Sequence, residues 1–200
     1  MKVSMSTAIT TILVLGLSFG LIQSAKADVK IGMNAPTFSI QDETGTLTNL
    51  TDFTGKYVVL EWTNPDCPFV KRHTEMGTMK TLAEKYAPQG VVWIAINSTH
   101  YMYPEQNLKW KEANALPYHI LRDNSGKVGK AYGAKSTPTM FVINPAGKIA
   151  YAGAIDNDSR GTLSDGRINY VDQALTELLA NKTISVAEAK AYGCSVKYAS

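Results

Sequence analysis

The chain has little cysteine: Cys67 and Cys194 are the only two among its 200 residues. Two thiols are too few for the disulfide scaffold of a small secreted domain, and a domain of this size buries enough apolar surface without one. Stability therefore does not explain the pair. In an oxidising compartment, two thiols so far apart in sequence form one long-range bridge, act as a redox pair or serve as ligands.

The sequence also lacks a strong charge of either sign. Its formal net charge is +3, and it contains neither a basic stripe nor a low-complexity run. Two of the positive charges, Lys2 and Lys26, lie in an N-terminal leader, so the remainder carries a formal charge of +1. This balance does not favour binding to nucleic acid or to an anionic membrane, and neither partner is expected.

The leader has the pattern of a secretory signal peptide. Lys2 precedes an apolar run from about Ala8 to Ile22, and Ala25 and Ala27 then form an Ala-x-Ala cleavage site. The alternative is a transmembrane anchor, but the run contains Thr, Ser and Gly and is short for a span of about 20 apolar residues. We therefore predict a signal peptide over residues 1–27, a single domain over residues 28–200, and a secreted or periplasmic protein without a stable membrane anchor.

The remaining sequence alternates strand and helix patterns. Apolar runs predict strands at 57–62 and 91–96, and the segment 68–86, which has no internal proline, predicts a helix. The other predicted elements are helices at 104–114, 127–132, 171–179 and 186–192, a strand at 118–121, and a hairpin of strands at 139–143 and 148–152. This order predicts an α/β domain with a mixed sheet.

Cys67 stands just before a predicted helix, with Pro68 at the favoured first helical position. A sulfur placed there faces unpaired backbone N–H groups and the positive end of the helix dipole, and both favour the thiolate. Lys71, Arg72 and His73 add positive charge nearby. A buried structural cysteine is the alternative, but a Pro-Asp-Cys-Pro turn is poorly placed to be core. We predict that Cys67 is a nucleophile.

The usual local partner of such a thiol is missing. A Cys-x-x-Cys motif has its second thiol three residues after the first, and here that position is Val70. A mixed disulfide or a sulfenic acid formed at Cys67 must then be resolved by another thiol, by an external reductant or by Cys194. The alternatives for Cys194 are a permanent disulfide that ties down the tail and an idle thiol.

Four groups of residues occur in a characteristic order: Gly32-x-x-Ala35-Pro36-x-Phe38, Asn64-Pro65-Asp66-Cys67-Pro68, Ser136-Thr137-Pro138-Thr139 and Gly193-Cys194-Ser195. Together they resemble the thioredoxin-like redoxins, the superfamily of alkyl hydroperoxide reductase/thiol-specific antioxidant proteins, and the last group resembles one peroxiredoxin-like branch. The resemblance implies a thioredoxin-like fold, with a central mixed β-sheet flanked by helices and an N-terminal redoxin β-hairpin extension. It also implies a thiol-dependent oxidoreductase.

The resemblance assigns roles to further residues. Pro138 is expected to follow a cis peptide bond, and the backbone of Thr137 is expected to contact an extended substrate, with Pro68 also in the substrate site. Glu61 stands near the buried aspartate position of thioredoxins, where a desolvated carboxyl exchanges a proton with the cysteine. A salt bridge or simple exposure of Glu61 is the alternative reading. Cys194 resembles the C-terminal cysteine of peroxiredoxins that often reacts across a dimer, so the resemblance leaves open whether this protein forms a homodimer.

The sequence leaves two classes of substrate open, a peroxide and a disulfide. Peroxiredoxins place Pro-x-x-x-Thr-x-x-Cys around the reactive thiol, but Leu60 and Asn64 stand at the proline and threonine positions here. The candidate guanidinium groups for a peroxide are Arg72, Arg122, Arg160 and Arg167. The expected partners are an external thiol reductant or a disulfide-bearing protein, with peroxide as the small substrate.

Two other functions remain as alternatives. One is a copper-handling thioredoxin-fold protein that uses Cys67 and a histidine, although the three histidines lack metal-ligand spacing with each other and the second thiol of such proteins is missing. The other is a redox-inactive scaffold with an unreactive Cys67. The leading prediction is an oxidoreductase without a cofactor or a bound metal.

Overall fold

The computed structural model describes residues 29–199, so the predicted signal peptide at residues 1–27 lies outside the described part. The strands are β1 (Ser39–Gln41), β2 (Leu47–Asn49), β3 (Val58–Trp62), β4 (Val92–Asn97), β5 (His119–Arg122), β6 (Ser136–Thr137), β7 (Thr139–Ile143), β8 (Ile149–Gly153) and β9 (Cys194–Ser195). The helices are α1 (Pro68–Glu75), α2 (Thr78–Tyr86), α3 (Pro104–Ala113), α4 (Lys127–Tyr132) and α5 (Tyr170–Leu179), with short 3₁₀ turns at Leu50–Phe53 and Ala87–Gln89. Within residues 29–199, no helix has the length and apolar character needed to cross a bilayer.

The central sheet has five strands in the order β5-β4-β3-β7-β8. β3 pairs in parallel with β4 and antiparallel with β7, and β8 pairs antiparallel with β7. β1 and β2 form a separate antiparallel pair, which is the predicted N-terminal hairpin. The thioredoxin-like α/β fold with a mixed sheet is therefore confirmed.

The core lies on both faces of this sheet, which explains why β3 is buried along its whole length. On one face, α2 and α5 pack against Val59, Trp93 and Met140. On the other face, α4 and the N-terminal segment pack against Leu60 and Trp62. Glu61 alternates with these residues and therefore points into the face that α2 and α5 cover.

The predicted helix over residues 68–86 is wrong as a single element. Gly77 divides it into α1 and α2, and its backbone is left-handed with φ of +66°. A residue without Cβ adopts that conformation at low cost, so the chain turns there and α1 remains short. The prediction relied on the absence of an internal proline, but the residue that interrupts the helix is a glycine.

The predicted helix at 186–192 is also wrong. Residues 186–199 form an extended segment, here named the C-terminal strap, whose first part lies beside β8. The Ala152 N–H donates to the Ala187 carbonyl oxygen at 3.1 Å, and the Ala189 N–H donates to the Ala152 carbonyl oxygen at 3.2 Å. These bonds to a sheet edge replace the internal bonds that a helix would have made.

The second part of the strap crosses the loop before β7. Its β9 pairs antiparallel with β6, with Cys194 opposite Thr137. Beyond this pair, the Val196 N–H donates to the Lys135 carbonyl oxygen at 3.1 Å. The Tyr198 hydroxyl donates to the Ala134 carbonyl oxygen at 2.6 Å. The strap therefore brings the C-terminal cysteine to the loop that contains Pro138.

Candidate active site

A tight turn places Cys67 at the start of α1. The Asn64 side-chain oxygen accepts from the Asp66 N–H at 2.9 Å, and the Asn64 carbonyl oxygen accepts from the Cys67 N–H at 2.9 Å. Cys67 is the N-cap residue, and exposed Pro68 begins the helix, as the sequence predicted. The sulfur thus lies at the end of α1 where N–H groups are free to donate.

The loop between β6 and β7 forms the opposite wall of the site. The Thr137–Pro138 peptide bond is cis, as expected from the resemblance. The Cys67 thiol donates a hydrogen bond to the Thr137 carbonyl oxygen at 3.1 Å. The Thr137 hydroxyl is buried and has no hydrogen-bond partner within residues 29–199. It is therefore available to donate to the sulfur once Cys67 loses its proton.

Cys194 lies within hydrogen-bond reach of Cys67 in the same chain, and both thiols are free. Burial alone would raise the pKa of Cys67, which is only 1 % exposed, but hydrogen bonds outweigh burial and hold that pKa below its ordinary value. The groups that donate to the sulfur in its ionised form are the thiol and N–H of Cys194, the Thr137 hydroxyl and the Val70 N–H. The surroundings of Cys67 thus favour its ionisation relative to an ordinary thiol.

The pKa of Cys194 moves in the other direction. Burial, the hydrogen bond to Cys67 and repulsion by the Cys67 thiolate raise it to about 11, although Lys197 and the Phe69 N–H partly oppose this. Cys194 is half-buried, whereas Cys67 is buried. Cys67 is thus the member of the pair that loses its proton first, and Cys194 keeps its proton and can then donate it to the Cys67 sulfur.

Glu61 is buried in the sheet and is not an exposed or salt-bridged carboxyl. It is 4 % exposed, and its Oε2 accepts from the Trp93 indole N–H at 3.1 Å. Burial raises the pKa of Glu61, and hydrogen bonds from Trp93, Tyr118 and Thr63 only partly oppose the shift. The expected desolvated carboxyl is therefore present in β3, on the face of the sheet that α2 and α5 cover.

A polar cluster that the sequence did not predict adjoins the two thiols. The Tyr192 hydroxyl donates to Asp156 Oδ1 at 2.5 Å and is 2.9 Å from His73 Nε2. Since this hydroxyl has one proton and gives it to Asp156, His73 Nε2 must donate to it. Arg72 Nη2 donates to the same hydroxyl at 3.4 Å and to the Asp158 carbonyl oxygen at 2.9 Å.

His73 is neutral in this cluster. It is 1 % exposed, and burial together with Arg72 lowers its pKa to about 4, although Asp156 opposes the shift. Of the candidate arginines, Arg72 lies beside the site, over the rings of Phe69 and Tyr192. Arg122 pairs with Asn124 instead, and Arg167 pairs with Asp158.

No local pattern in the sequence indicates this cluster, because its members come from α1, the loop after β8 and the strap. Only the position of Tyr192, two residues before Cys194, could have drawn attention. A second unpredicted group brings together Asp42, Glu43 and His119. Its buried Glu43 already accepts from Lys111 at 2.5 Å and from the Ile120 N–H at 2.8 Å. That group is therefore satisfied as it stands and does not include Cys67.

Comparison with known proteins agrees with the fold. Residues 31–152 match the AhpC/TSA family. The thiol–disulfide oxidoreductase ResA of Geobacillus thermodenitrificans is 32 % identical over 152 residues, which cover 74 % of this chain and 84 % of that protein.

Two solved structures are similar over most of their length. A hypothetical protein of Sinorhizobium meliloti has a TM-score of 0.78 and 25 % identity, and the match covers 87 % of this chain and 97 % of that one. An uncharacterized conserved protein of Geobacillus kaustophilus has a TM-score of 0.77 and 29 % identity, with 85 % and 93 % covered.

Proposed function

This chain belongs to the AhpC/TSA family, and from that premise we propose that it is an exported thiol–disulfide oxidoreductase. Cys67 is its nucleophile, and Cys194 of the same chain is its resolving thiol. The observation that supports this most is the β6–β9 pair, which sets Cys194 opposite Thr137 while the Cys67 thiol bonds to the Thr137 carbonyl oxygen. The name of the ResA relative agrees with the reaction class.

The reaction has two exchange steps. The Cys67 thiolate attacks one sulfur of a partner disulfide, forms a mixed disulfide and releases the partner's other sulfur as a thiolate. Cys194, as its thiolate, then attacks the Cys67 sulfur, so the Cys67–Cys194 disulfide forms and the partner leaves with both thiols reduced. An external thiol reductant returns two electrons and restores the pair.

The remaining predicted residues have supporting roles. The Thr137 carbonyl oxygen accepts from the Cys67 thiol, and the Thr137 hydroxyl donates to the sulfur once the thiol has lost its proton. Pro138 and Pro68 border the place where a partner disulfide meets Cys67. The Thr137 backbone edge, where an extended partner would pair, is occupied by β9, so a protein partner has to displace the strap. Glu61 exchanges protons with the thiol pair, as its raised pKa permits.

The test is mass spectrometry after a stoichiometric pulse of oxidised glutathione at low protein concentration. We expect an intramolecular Cys67–Cys194 link in the wild-type chain. Cys194→Ser should instead accumulate a glutathione adduct on Cys67, and Cys67→Ser should react far more slowly. A link that forms only between two chains would refute the same-chain mechanism, and unreacted thiols would support the redox-inactive scaffold.

Peroxide reduction is the second candidate, and the depressed pKa of Cys67 supports it. In that reaction the Cys67 thiolate attacks one peroxide oxygen, the O–O bond breaks, and the other oxygen leaves as water or an alcohol, so Cys67 becomes a sulfenic acid. Cys194 then condenses with it to form the disulfide and a molecule of water. Arg72, the guanidinium nearest the site by its ring contacts, already donates to the carbonyl oxygens of Asp158 and Ser159. We therefore favour a disulfide substrate, and the ratio of rates with peroxide and oxidised glutathione decides between them.

Copper handling is less favoured than either reaction. His73, the histidine on the same helix as Cys67, is buried and uses Nε2 to bond Tyr192. A metal ligand at that nitrogen would have to break this bond. Copper retained at one equivalent after gel filtration, and lost in Cys67→Ser, would reverse this preference.

A further inference from the structure

A resolving thiol in a Cys-x-x-Cys motif is held by the helix that carries the nucleophile. Here Val70 takes that position, and the second thiol comes from an extended segment at the other end of the chain. An extended segment has no internal hydrogen bonds to fix its place. The effective concentration of Cys194 at Cys67 therefore depends on what anchors the strap on each side of it.

On the C-terminal side of Cys194, the anchors are mainly backbone hydrogen bonds to residues 134–137. On the N-terminal side, the nearest side-chain anchor is Tyr192. Its ring lies 5.9 Å from the ring of Phe69, whose own N–H donates to the Cys194 sulfur. The ring thus rests on the first turn of α1, the same turn that begins after Cys67.

The Tyr192 hydroxyl fixes where that ring lies. It is held from three directions, by Asp156 at 2.5 Å, by His73 Nε2 at 2.9 Å and by Arg72 Nη2 at 3.4 Å. Asp156 belongs to the loop after β8 and is 2 % exposed, so it does not follow movements of the strap. A buried hydrogen bond to a charged acceptor is among the stronger interactions in proteins.

Only Gly193 separates Tyr192 from Cys194, and its backbone touches the cis-proline loop. A Cβ at Gly193 would lie 2.0 Å from the Thr137 carbonyl oxygen, so the strap packs directly against the cis-proline loop at this residue. Fixing Tyr192 therefore fixes the direction from which the chain delivers Cys194 to β6.

We infer that Tyr192 is a positioning residue, which holds Cys194 against Cys67 through the hydrogen bond between its hydroxyl and Asp156. The inference rests on the proposed function, because it assigns a residue to the resolving step. In that step the Cys194 sulfur replaces the partner sulfur on Cys67, and the partner thiol leaves. Holding the two protein sulfurs together favours the internal disulfide over the mixed one.

The experiment measures the equilibrium between the reduced protein with oxidised glutathione and the Cys67–Cys194 disulfide with two glutathione thiols. Wild type, Tyr192→Phe, Asp156→Asn and the control Tyr57→Phe are equilibrated in graded glutathione buffers, acid-quenched, alkylated and quantified by mass spectrometry. Phe keeps the ring on α1 and removes only the hydroxyl. Tyr57 suits as the control because its hydroxyl bonds the Leu178 carbonyl oxygen, outside the thiol site.

We expect Tyr192→Phe to lower the equilibrium constant about tenfold or more, which is about 30 mV for a two-electron couple. Asp156→Asn keeps an accepting oxygen and should lower it less, and Tyr57→Phe should leave it unchanged. A merely structural role would reduce the stability of the oxidised and reduced proteins equally and would leave the constant unchanged. Should Tyr192→Phe fail to fold, Asp156→Asn carries the test alone.

The outcomes separate the two proposals. If wild type forms the internal disulfide and both variants match its equilibrium constant, Tyr192 does not position Cys194, while the proposed function stands. If wild type forms no internal disulfide in any buffer, the resolving role of Cys194 is wrong, and the positioning role falls with it. A lower constant in Tyr192→Phe with an unchanged control supports both.

Discussion

Cys67 donates a hydrogen bond from its thiol to the backbone carbonyl oxygen of Thr137 at 3.1 Å. Thr137 is also the residue that faces Cys194 across the β6–β9 pair. One backbone position of the cis-proline loop therefore serves both thiols. In this chain the strap occupies the edge that an extended partner would use, and it brings the second thiol with it.

The first prediction concerns how the two thiols titrate. Replacing Cys194 with Ala removes a thiol that donates to the Cys67 sulfur, so the pKa of Cys67 should rise. Replacing Cys67 with Ala removes both the hydrogen-bond partner of Cys194 and the charge that repels its thiolate, so the pKa of Cys194 should fall below about 11. Ultraviolet absorbance of the thiolates against pH measures both. A Cys67 midpoint unchanged in Cys194→Ala would show that the thiols do not interact.

The second prediction uses the close approach of the strap to the cis-proline loop. Gly193→Ala would place a Cβ 2.0 Å from the Thr137 carbonyl oxygen, so β9 has to move away. A displacement of about 1 Å is enough to slow an intramolecular reaction about 100-fold. Stopped-flow mixing with oxidised glutathione should show this loss in the rate of Cys67–Cys194 disulfide formation.

Gly166→Ala is the control for that variant. Gly166 has a positive φ of +68°, compared with +123° at Gly193, and a Cβ there would meet nothing within 4 Å. The control therefore tests an alanine at positive φ without the clash, at a smaller backbone strain than at Gly193. Equal disulfide-formation rates in the two variants would mean that the contact between Gly193 and Thr137 does not hold the thiols together.

The fold was largely predictable because its strands are continuous apolar runs that lie in the middle of the sheet. The two wrong helices have separate physical reasons. Gly77 breaks the first one with a left-handed backbone. The alanines of residues 186–192 favour a helix locally, but hydrogen bonds to β8 outweigh this preference once the sheet has formed.

The site was predictable where its chemistry is local or where the resemblance extends. Cys67 and Pro68 indicate a helix start within a few residues, and the resemblance pointed to the cis-proline loop, to Cys194 as a resolving thiol and to a desolvated Glu61. The anchor at Tyr192 and the hydrogen bond between Glu61 and Trp93 join distant parts of the chain. Such contacts depend on how the strap and the sheet pack, which spacing along the sequence does not encode.

The third prediction concerns the buried carboxyl of Glu61. Because its pKa is raised in the folded protein, its contribution to stability is complete below its ordinary pKa of 4.5 and is lost as the pH rises through the folded value. Glu61→Gln cannot ionise and keeps a side chain of similar shape. Urea unfolding across a pH series should show that the stability of Glu61→Gln relative to the wild type increases as the pH rises above 4.5.

A kinetic measurement on the same variant tests the proton-exchange role. The rate at which Cys67 reacts with oxidised glutathione should become less dependent on pH in Glu61→Gln if the carboxyl exchanges protons with the thiols. The same stability difference with an unchanged pH–rate profile would assign Glu61 to the fold alone. The two readouts therefore separate a structural carboxyl from one that takes part in the reaction.

The last prediction concerns His73, whose pKa is lowered to about 4. The unfolded chain takes up a proton on this residue near its ordinary pKa of 6.5, while the folded protein does so only near 4. Stability is therefore present above pH 6.5 and is lost as the pH falls towards 4, by about 3 kcal/mol if the whole shift is realised. Urea unfolding between these pH values should show the loss in wild type and much less in His73→Asn. The exposed His100 gives the control His100→Asn, which should keep the wild-type loss. Equal pH dependence in wild type and His73→Asn would mean that His73 is not held neutral by its burial beside Arg72 and Tyr192.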